Sequence, residues 1–127
     1  DYSRGGFQPP EMIKRRPAIV ISPRLPHRDG LCSVAPLSGS PPVRDVPYQV
    51  KLTLDEKLPA PFDSDTWWAK CDMLATVGFA RLDLLRTGRD QYGKRKYLQQ
   101  RVTDEQLKAV QSGILYALGL QALTDHL

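Results

Sequence analysis

The side chains that most often carry out catalysis are scarce in this 127-residue chain. It has two histidines, His27 in a Pro-rich connection and His126 near the C-terminal end, and they are far apart in sequence. No H-x-x-x-H, paired C-x-x-C, P-loop or G-x-G-x-x-G pattern occurs, so metal, nucleotide-cofactor and Ser-His-Asp chemistry lack their usual parts. If the protein is an enzyme, we therefore expect Arg, Lys, Asp, Glu, Ser or Tyr to act, with no cofactor and no metal site.

Cleavage of RNA is a reaction that such a set of side chains can catalyse. The ribose 2′-hydroxyl is an internal nucleophile beside the phosphate, so the substrate itself supplies proximity. The protein must remove that proton, stabilise charge on the phosphoryl oxygens and protonate the departing 5′-oxygen. A guanidinium matches the phosphate oxygens, and a carboxylate or hydroxyl within hydrogen-bond reach can assist proton movement.

The elements that would position these groups are predicted to be short β-strands joined by loops rich in Pro, Gly and Asp. Residues 1–15 show no periodicity and read as a loop. The apolar, β-branched residues 17–22 predict a buried strand, and residues 31–37 predict a second strand that pairs with it as a hairpin. Residues 48–54 alternate strictly, and residues 66–77 form a long β-prone stretch that FARLDLLR continues or bends. TGRDQYGKR has a turn composition, after which RKYLQQRV returns as a strand.

The clearest helix comes last. Thr103 and Gln106 have the spacing of a capping box, and Gly119 is a plausible stop. One apolar face is predicted from Leu107, Val110, Ile114, Leu115 and Leu118. Five or six antiparallel strands and one packing helix predict a mainly β fold, a small barrel in one domain over residues 1–127.

Composition sets broad limits on function. Hydrophobic residues make up 41% and charged residues 25%, which suffices for one ordinary core. The net charge of +4 permits an anionic partner such as nucleic acid without requiring one. Two cysteines, Cys32 and Cys71, favour a reducing, cytoplasmic compartment and buried free thiols. No run of about twenty apolar residues predicts a membrane span.

Four segments in order carry a resemblance to a known family. They are PPEMIKRRPAIVIS, GLCSVAPLSGSPP, WAKCDMLATV and the helical ending TDEQLKAVQSGILYALGL. Together they resemble the MazF/PemK/Kid toxins of type II toxin–antitoxin systems. The resemblance implies an SH3-like barrel of the CcdB/MazF toxin type and a homodimer. It also implies metal-independent, sequence-selective cleavage of single-stranded RNA, with a 2′,3′-cyclic phosphate and a 5′-hydroxyl as products, and inhibition by an antitoxin protein.

The resemblance also assigns roles to residues of this sequence. Arg16 matches the family's catalytic arginine, and Asp72 matches the acidic residue given a proton-transfer role. Ser38 matches the catalytic Ser/Thr, with Ser40 as the open alternative. Further RNA contacts are expected from Lys14, Arg15, Ser40 and Lys70, and the loop from Arg4 to Lys14 matches one that closes over RNA and is displaced by antitoxin.

Each assignment competes with an ordinary structural interpretation. A strand-edge arginine such as Arg16 is usually solvated, and Ser38 stands in a Pro/Gly/Ser loop where serines shape turns. Asp72 lies in an apolar stretch and would need a partner, such as Lys70 or an arginine.

The two adjacent tryptophans and a basic segment leave further alternatives open. On a strand Trp67 and Trp68 point to opposite faces, so one is core and the other is a dimer interface or a base-stacking surface. The cluster 94–96, within a stretch 78–96 longer than in compact family members, is a solvated turn or an RNA-contacting hairpin.

Two rival functions share this fold. A non-catalytic toxin of the gyrase-poisoning CcdB type would end in Trp-Gly-Ile, whereas this chain ends in QALTDHL. An inactive RNA-binding barrel is the other, because fold does not fix function. The family's first strand is represented only by Asp1 and Tyr2, which predicts that the strand is absent or omitted before residue 1.

Overall fold

A computed structural model describes residues 15–127 of the chain. The expectations for the family's first strand, for the loop from Arg4 to Lys14 and for RNA binding by Lys14 lie outside the described residues. Seven strands and one α-helix follow. The strands are β1 (Ala18–Val20), β2 (Leu31–Ser38), β3 (Gln49–Thr53), β4 (Thr66–Lys70), β5 (Ala75–Gly78), β6 (Arg86–Arg89) and β7 (Arg95–Tyr97), and the helix α1 is Asp104–Ala117.

The main sheet is built around the long strand β2. Its order is β1-β2-β4-β3, every pairing is antiparallel, and β5 also pairs with β2. Strand β2 is buried at Val34, Ala35, Leu37 and Ser38, as expected for a strand with neighbours on both edges. The mainly β fold with a C-terminal helix is confirmed. Within residues 15–127, however, the strands do not close into a barrel, because β1 and β3 each keep one edge without a partner strand.

The long β-prone stretch 66–77 forms two strands, and the bend lies within it rather than after it. A short 3-10 turn, Cys71–Met73, separates β4 from β5. The break has a pairing reason, since β4 hydrogen-bonds to the end of β2 at Leu37 and Ser38, whereas β5 pairs with its beginning, Leu31 to Val34. The chain turns between these two pairings.

The core lies between the inner face of this sheet and α1. Its residues come from β1 to β4, from the connection after β3, from the 3-10 turn and from the helix: Ile19, Ala35, Leu37, Leu52, Leu54, Leu58, Trp67, Ala69, Cys71, Val110 and Ile114. Trp67 is buried, and its indole N–H donates to the Ser64 carbonyl at 2.9 Å. Trp68 is half-buried on the opposite face, which confirms that the pair divides between two faces.

Both ends of α1 follow from local sequence. Thr103 Oγ1 accepts from the Gln106 backbone N–H at 3.1 Å, and the Gln106 side chain accepts from the Thr103 N–H at 2.9 Å, so the capping box is confirmed. At the other end Gly119 has φ +75°, and the Leu120 N–H donates to the Leu115 carbonyl at 2.7 Å. This Schellman arrangement confirms Gly119 as the stop.

One residue of the predicted apolar face is wrong. Leu118 follows the last helical residue and is 62% exposed, because the chain has already turned away from the sheet there. Among the described helices, none is both long enough and apolar enough to cross a membrane.

Candidate active site

Strand register places Arg16 opposite Ser38. The Leu37 N–H donates to the Pro17 carbonyl at 2.8 Å, which makes Arg16 and Ser38 the next facing pair beyond the end of β1. Ser38 in turn pairs with Trp68, and Trp68 with Lys51. Residues that face each other across antiparallel strands share a face of the sheet. A cation, a hydroxyl, an indole and a second cation therefore form one row across four strands.

Two adjacent arginines precede β1, and they differ in what they contact. The Arg15 guanidinium forms an ion pair with the Asp83 carboxylate, and both side chains are exposed. Arg16 is also exposed, but it forms no ion pair or hydrogen bond with any other described residue. Of the two guanidinium groups, that of Arg16 is the one with all its donors open to a ligand.

Arg16 and Asp72 line the same open groove, which runs along β1, β2 and β5 and is called the β1–β5 groove below. Most of its lining is apolar, and Arg86 and Arg101 are among the residues that line it. Asp72 is exposed in the 3-10 turn, and no described side chain pairs with it. The expectation that Asp72 needs a structural partner such as Lys70 is not met, because the turn lifts its carboxylate to the surface.

Ser38 is nearly buried, with 5% of its surface exposed, and it is not among the described residues that line the groove. Its hydroxyl accepts from the Ser40 N–H and donates to the Ser40 carbonyl, both at 3.3 Å. These are long hydrogen bonds within a serine turn. Ser40 itself is exposed and Lys70 is half-buried at the end of β4. Arg16 and Asp72 thus line one groove. Ser38 lies opposite Arg16 in strand register, and its hydroxyl is hydrogen-bonded within the serine turn.

Sequence reasoning missed a pair of hydroxyls in the groove. Ser33 Oγ and Thr76 Oγ1 are 2.9 Å apart across β2 and β5, and both residues line the groove. The polar position within LCSVAPL was a signal for Ser33, but its partner became visible only when β5 was known to pair with β2.

The thiol of Cys71 has a displaced pKa. Burial, and secondarily the negative charge of Asp72, raise the pKa of its thiol from 9.0 to about 11. Both cysteines are free, and Cys71 is buried as expected, whereas Cys32 is half-buried. Within residues 15–127 no three His, Cys, Asp or Glu side chains converge as possible metal ligands.

The chain is similar to a curated protein and to solved structures, among them two toxins. An uncharacterized protein of Haemophilus influenzae is 27% identical over 123 residues, which span 94% of this chain and 80% of that protein. The Mycobacterium tuberculosis toxin MazF-mt6 superposes with a TM-score of 0.56 at 20% identity, covering 87% of this chain and 92% of the toxin. A second structure, of an Mtb toxin, gives a TM-score of 0.53 at 17% identity, covering 80% and 91%.

Both structural matches show a shared fold. The sequence gives the more specific result, because residues 6–118 match the family described as the PemK-like, MazF-like toxin of type II toxin–antitoxin systems. That match spans nearly the whole described domain, including β1 with its preceding arginines, the turn that holds Asp72 and the capped helix. The chain therefore belongs to the PemK-like, MazF-like toxin family of type II toxin–antitoxin systems.

Proposed function

We propose that this protein is an endoribonuclease that cleaves single-stranded RNA at the β1–β5 groove without a metal ion. The observation that carries the proposal is the open guanidinium of Arg16 in the same groove as the exposed carboxylate of Asp72. A phosphodiester needs a fork of donors on its non-bridging oxygens, and a 2′-hydroxyl needs a base.

The reaction proceeds as an internal displacement at phosphorus. The Asp72 carboxylate accepts the 2′ proton while the 2′-oxygen forms a bond to phosphorus, and the bond from phosphorus to the 5′-oxygen breaks. The departing 5′-oxygen takes up a proton from water, and Asp72 later returns its proton to water, so the products are a 2′,3′-cyclic phosphate and a 5′-hydroxyl. Arg16 neutralises the charge that grows on the non-bridging oxygens.

Ser38 is the proposed hydrogen-bond donor to the same phosphate. It faces Arg16 across the β1–β2 ladder, and its two hydrogen bonds to Ser40 are long enough to be exchanged for a phosphate oxygen. Arg15, Ser40 and Lys70 remain proposed RNA contacts on either side of this group.

The proposed assembly is a cytoplasmic homodimer that is held inactive by its antitoxin protein. Family membership supports the antitoxin, since the family belongs to two-component toxin–antitoxin systems. The half-buried indole of Trp68, flanked by Lys51 on the outer face of the sheet, is proposed as part of the dimer contact. Light scattering on the purified protein and on a Trp68→Ala variant tests this, with a lighter species expected for the variant.

The nuclease activity is tested with purified protein and single-stranded RNA in the presence of EDTA. The parent protein should cut at a short preferred sequence and leave a 2′,3′-cyclic phosphate. Arg16→Ala should lose about a hundredfold or more in rate, because it removes the charge-stabilising group. Arg44→Ala is the matched control, because it removes an exposed arginine that does not line the groove, and it should retain most activity.

A substrate control isolates the chemistry from binding. An RNA with a single 2′-O-methyl group at the cleaved position should bind and remain intact, since its nucleophile is blocked. If the parent protein leaves unmodified RNA uncut in EDTA, the result would favour a non-catalytic toxin or an inactive RNA-binding barrel. Cleavage that EDTA abolishes, or that Arg16→Ala leaves unchanged, would overturn the mechanism.

A further inference from the structure

The strands β6 and β7 form a hairpin that belongs to neither the main sheet nor the core. They pair only with each other, and all four residues of β6 are exposed. An isolated two-stranded hairpin is at best marginally stable in water. Burial of apolar surface therefore does not explain why the hairpin has the side chains that it has.

The hairpin holds the entire charge surplus of the protein. Residues 86–97 contain five basic residues, Arg86, Arg89, Lys94, Arg95 and Lys96, and one acidic residue, Asp90. Their net charge of +4 equals that of the whole chain, so the other residues together are neutral. Such a concentration creates a local positive potential suited to a polyanion.

The single acidic residue of the hairpin is committed to the turn. Asp90 Oδ1 accepts from the backbone N–H groups of Tyr92 at 2.8 Å and Lys94 at 2.9 Å. Arg89 and Arg95 face each other directly across the two strands, and facing like charges destabilise a strand pair. An anion between them would remove that repulsion.

An aromatic ring stands at the tip of the hairpin. Tyr92 is 79% exposed and lies just before Gly93, whose φ of +79° closes the turn. A ring held out at the end of a basic hairpin offers a face on which an unpaired base can stack, between cations that can contact the flanking phosphates.

One end of the hairpin borders the groove that holds the candidate active site. Arg86, the first residue of β6, lines the β1–β5 groove together with Arg16. We propose that the β6–β7 hairpin binds single-stranded RNA on one side of the cleaved bond, through its basic side chains and Tyr92. This inference rests on the proposed nuclease function and names the surface that extends its RNA footprint.

The test compares two variants with identical charge changes. The hairpin variant is Lys94→Gln, Arg95→Gln and Lys96→Gln together, and the control is Arg44→Gln, Lys57→Gln and Lys108→Gln, all exposed positions elsewhere. Binding is measured by fluorescence anisotropy with a labelled, fully 2′-O-methylated single-stranded RNA over a series of salt concentrations. Thermal unfolding of each variant verifies that it is folded.

The hairpin variant should bind RNA about tenfold or more weakly than the parent at low salt. The slope of its plot of log affinity against log salt should be smaller by about 2, because three phosphate contacts are lost. Tyr92→Ala should weaken binding about fivefold or more without changing that slope, because stacking is not an ionic contact. The charge-matched control should bind RNA only slightly more weakly than the parent, because its net charge is lower but its hairpin is intact.

Equal binding by the hairpin variant and its control would overturn the inference even if the parent cleaves RNA. Loss of antitoxin binding with RNA binding intact would overturn it in favour of an acidic protein as the partner. Cleavage of a very short RNA, which reaches only the groove, distinguishes RNA binding by the hairpin from the proposed nuclease function. The hairpin variant should cut it like the parent, whereas failure of the parent to cut any RNA would contradict the proposed function instead.

Discussion

The thiol of Cys71 donates a hydrogen bond to the backbone carbonyl of Val110 at 3.5 Å. Cys71 begins the 3-10 turn whose next residue is Asp72, and Val110 lies in the middle of α1. The helix thereby holds the turn that presents the candidate base to the groove. The position of Asp72 therefore depends on helix packing as well as on the strands that flank it.

Gly113 of α1 packs tightly against Cys71 at this contact between the helix and the turn. A Cβ placed there would come within 2.7 Å of Cys71 Sγ and 2.9 Å of Val50 Cγ2. Gly113→Ala should therefore lower the free energy of unfolding by about 1 to 3 kcal/mol, although alanine favours the helix itself. Urea unfolding of this variant, with the exposed Lys108→Ala as control, measures the effect. A variant as stable as the parent would show that the helix is not seated this tightly.

The Cys71 thiol makes stability depend on alkaline pH. Its pKa is about 11 in the folded protein and 9.0 ordinarily, so the folded state holds this proton more tightly than the unfolded state. The associated stabilisation is complete below pH 9 and is lost as the pH rises from 9 to about 11, in total about 2 to 3 kcal/mol. Urea unfolding across that range should show this loss in the parent and not in Cys71→Ala. Parallel curves for the two proteins would contradict it.

Asp72 should affect both catalysis and the neighbouring thiol. Asp72→Asn removes the proposed base and should slow RNA cleavage by about a hundredfold or more. It also removes a negative charge that raises the pKa of Cys71, so that pKa should fall toward its ordinary value. The thiol is titrated by the ultraviolet absorbance of its thiolate in a Cys32→Ser background. Slower cleavage with an unchanged Cys71 titration would mean that the two side chains do not lie as described.

Ser38 and Ser40 can be separated by matched substitutions. Ser38→Ala should slow cleavage by about a hundredfold, as loss of a phosphate donor does, and cost about 1 kcal/mol through the lost turn hydrogen bonds. Ser40→Ala should weaken RNA binding but change stability and the single-turnover rate at saturating RNA little, because the Ser40 backbone, and not its exposed hydroxyl, contacts Ser38. Single-turnover cleavage and thermal unfolding are the measurements. The reverse order of activities would assign the site hydroxyl to Ser40.

Sequence predicted the elements whose signals are local. The capping box at Thr103 and the stop at Gly119 depend on residues within one helical turn, and both were found where the spacing placed them. The strands around β2 were found for a similar reason, since apolar alternation reports burial directly. Leu118 was assigned wrongly because periodicity continues past the point at which the backbone leaves the helix.

The sequence by itself determined the chemical groups that are present, the order of the elements and membership of a toxin family. Tertiary structure alone decided which groups meet. It paired Arg15 with Asp83, 68 residues further along the chain, and left Arg16 open. It also broke the stretch 66–77 so that Asp72 reaches the surface. These outcomes depend on strand register and helix packing, which join residues far apart in sequence and leave no trace in local periodicity.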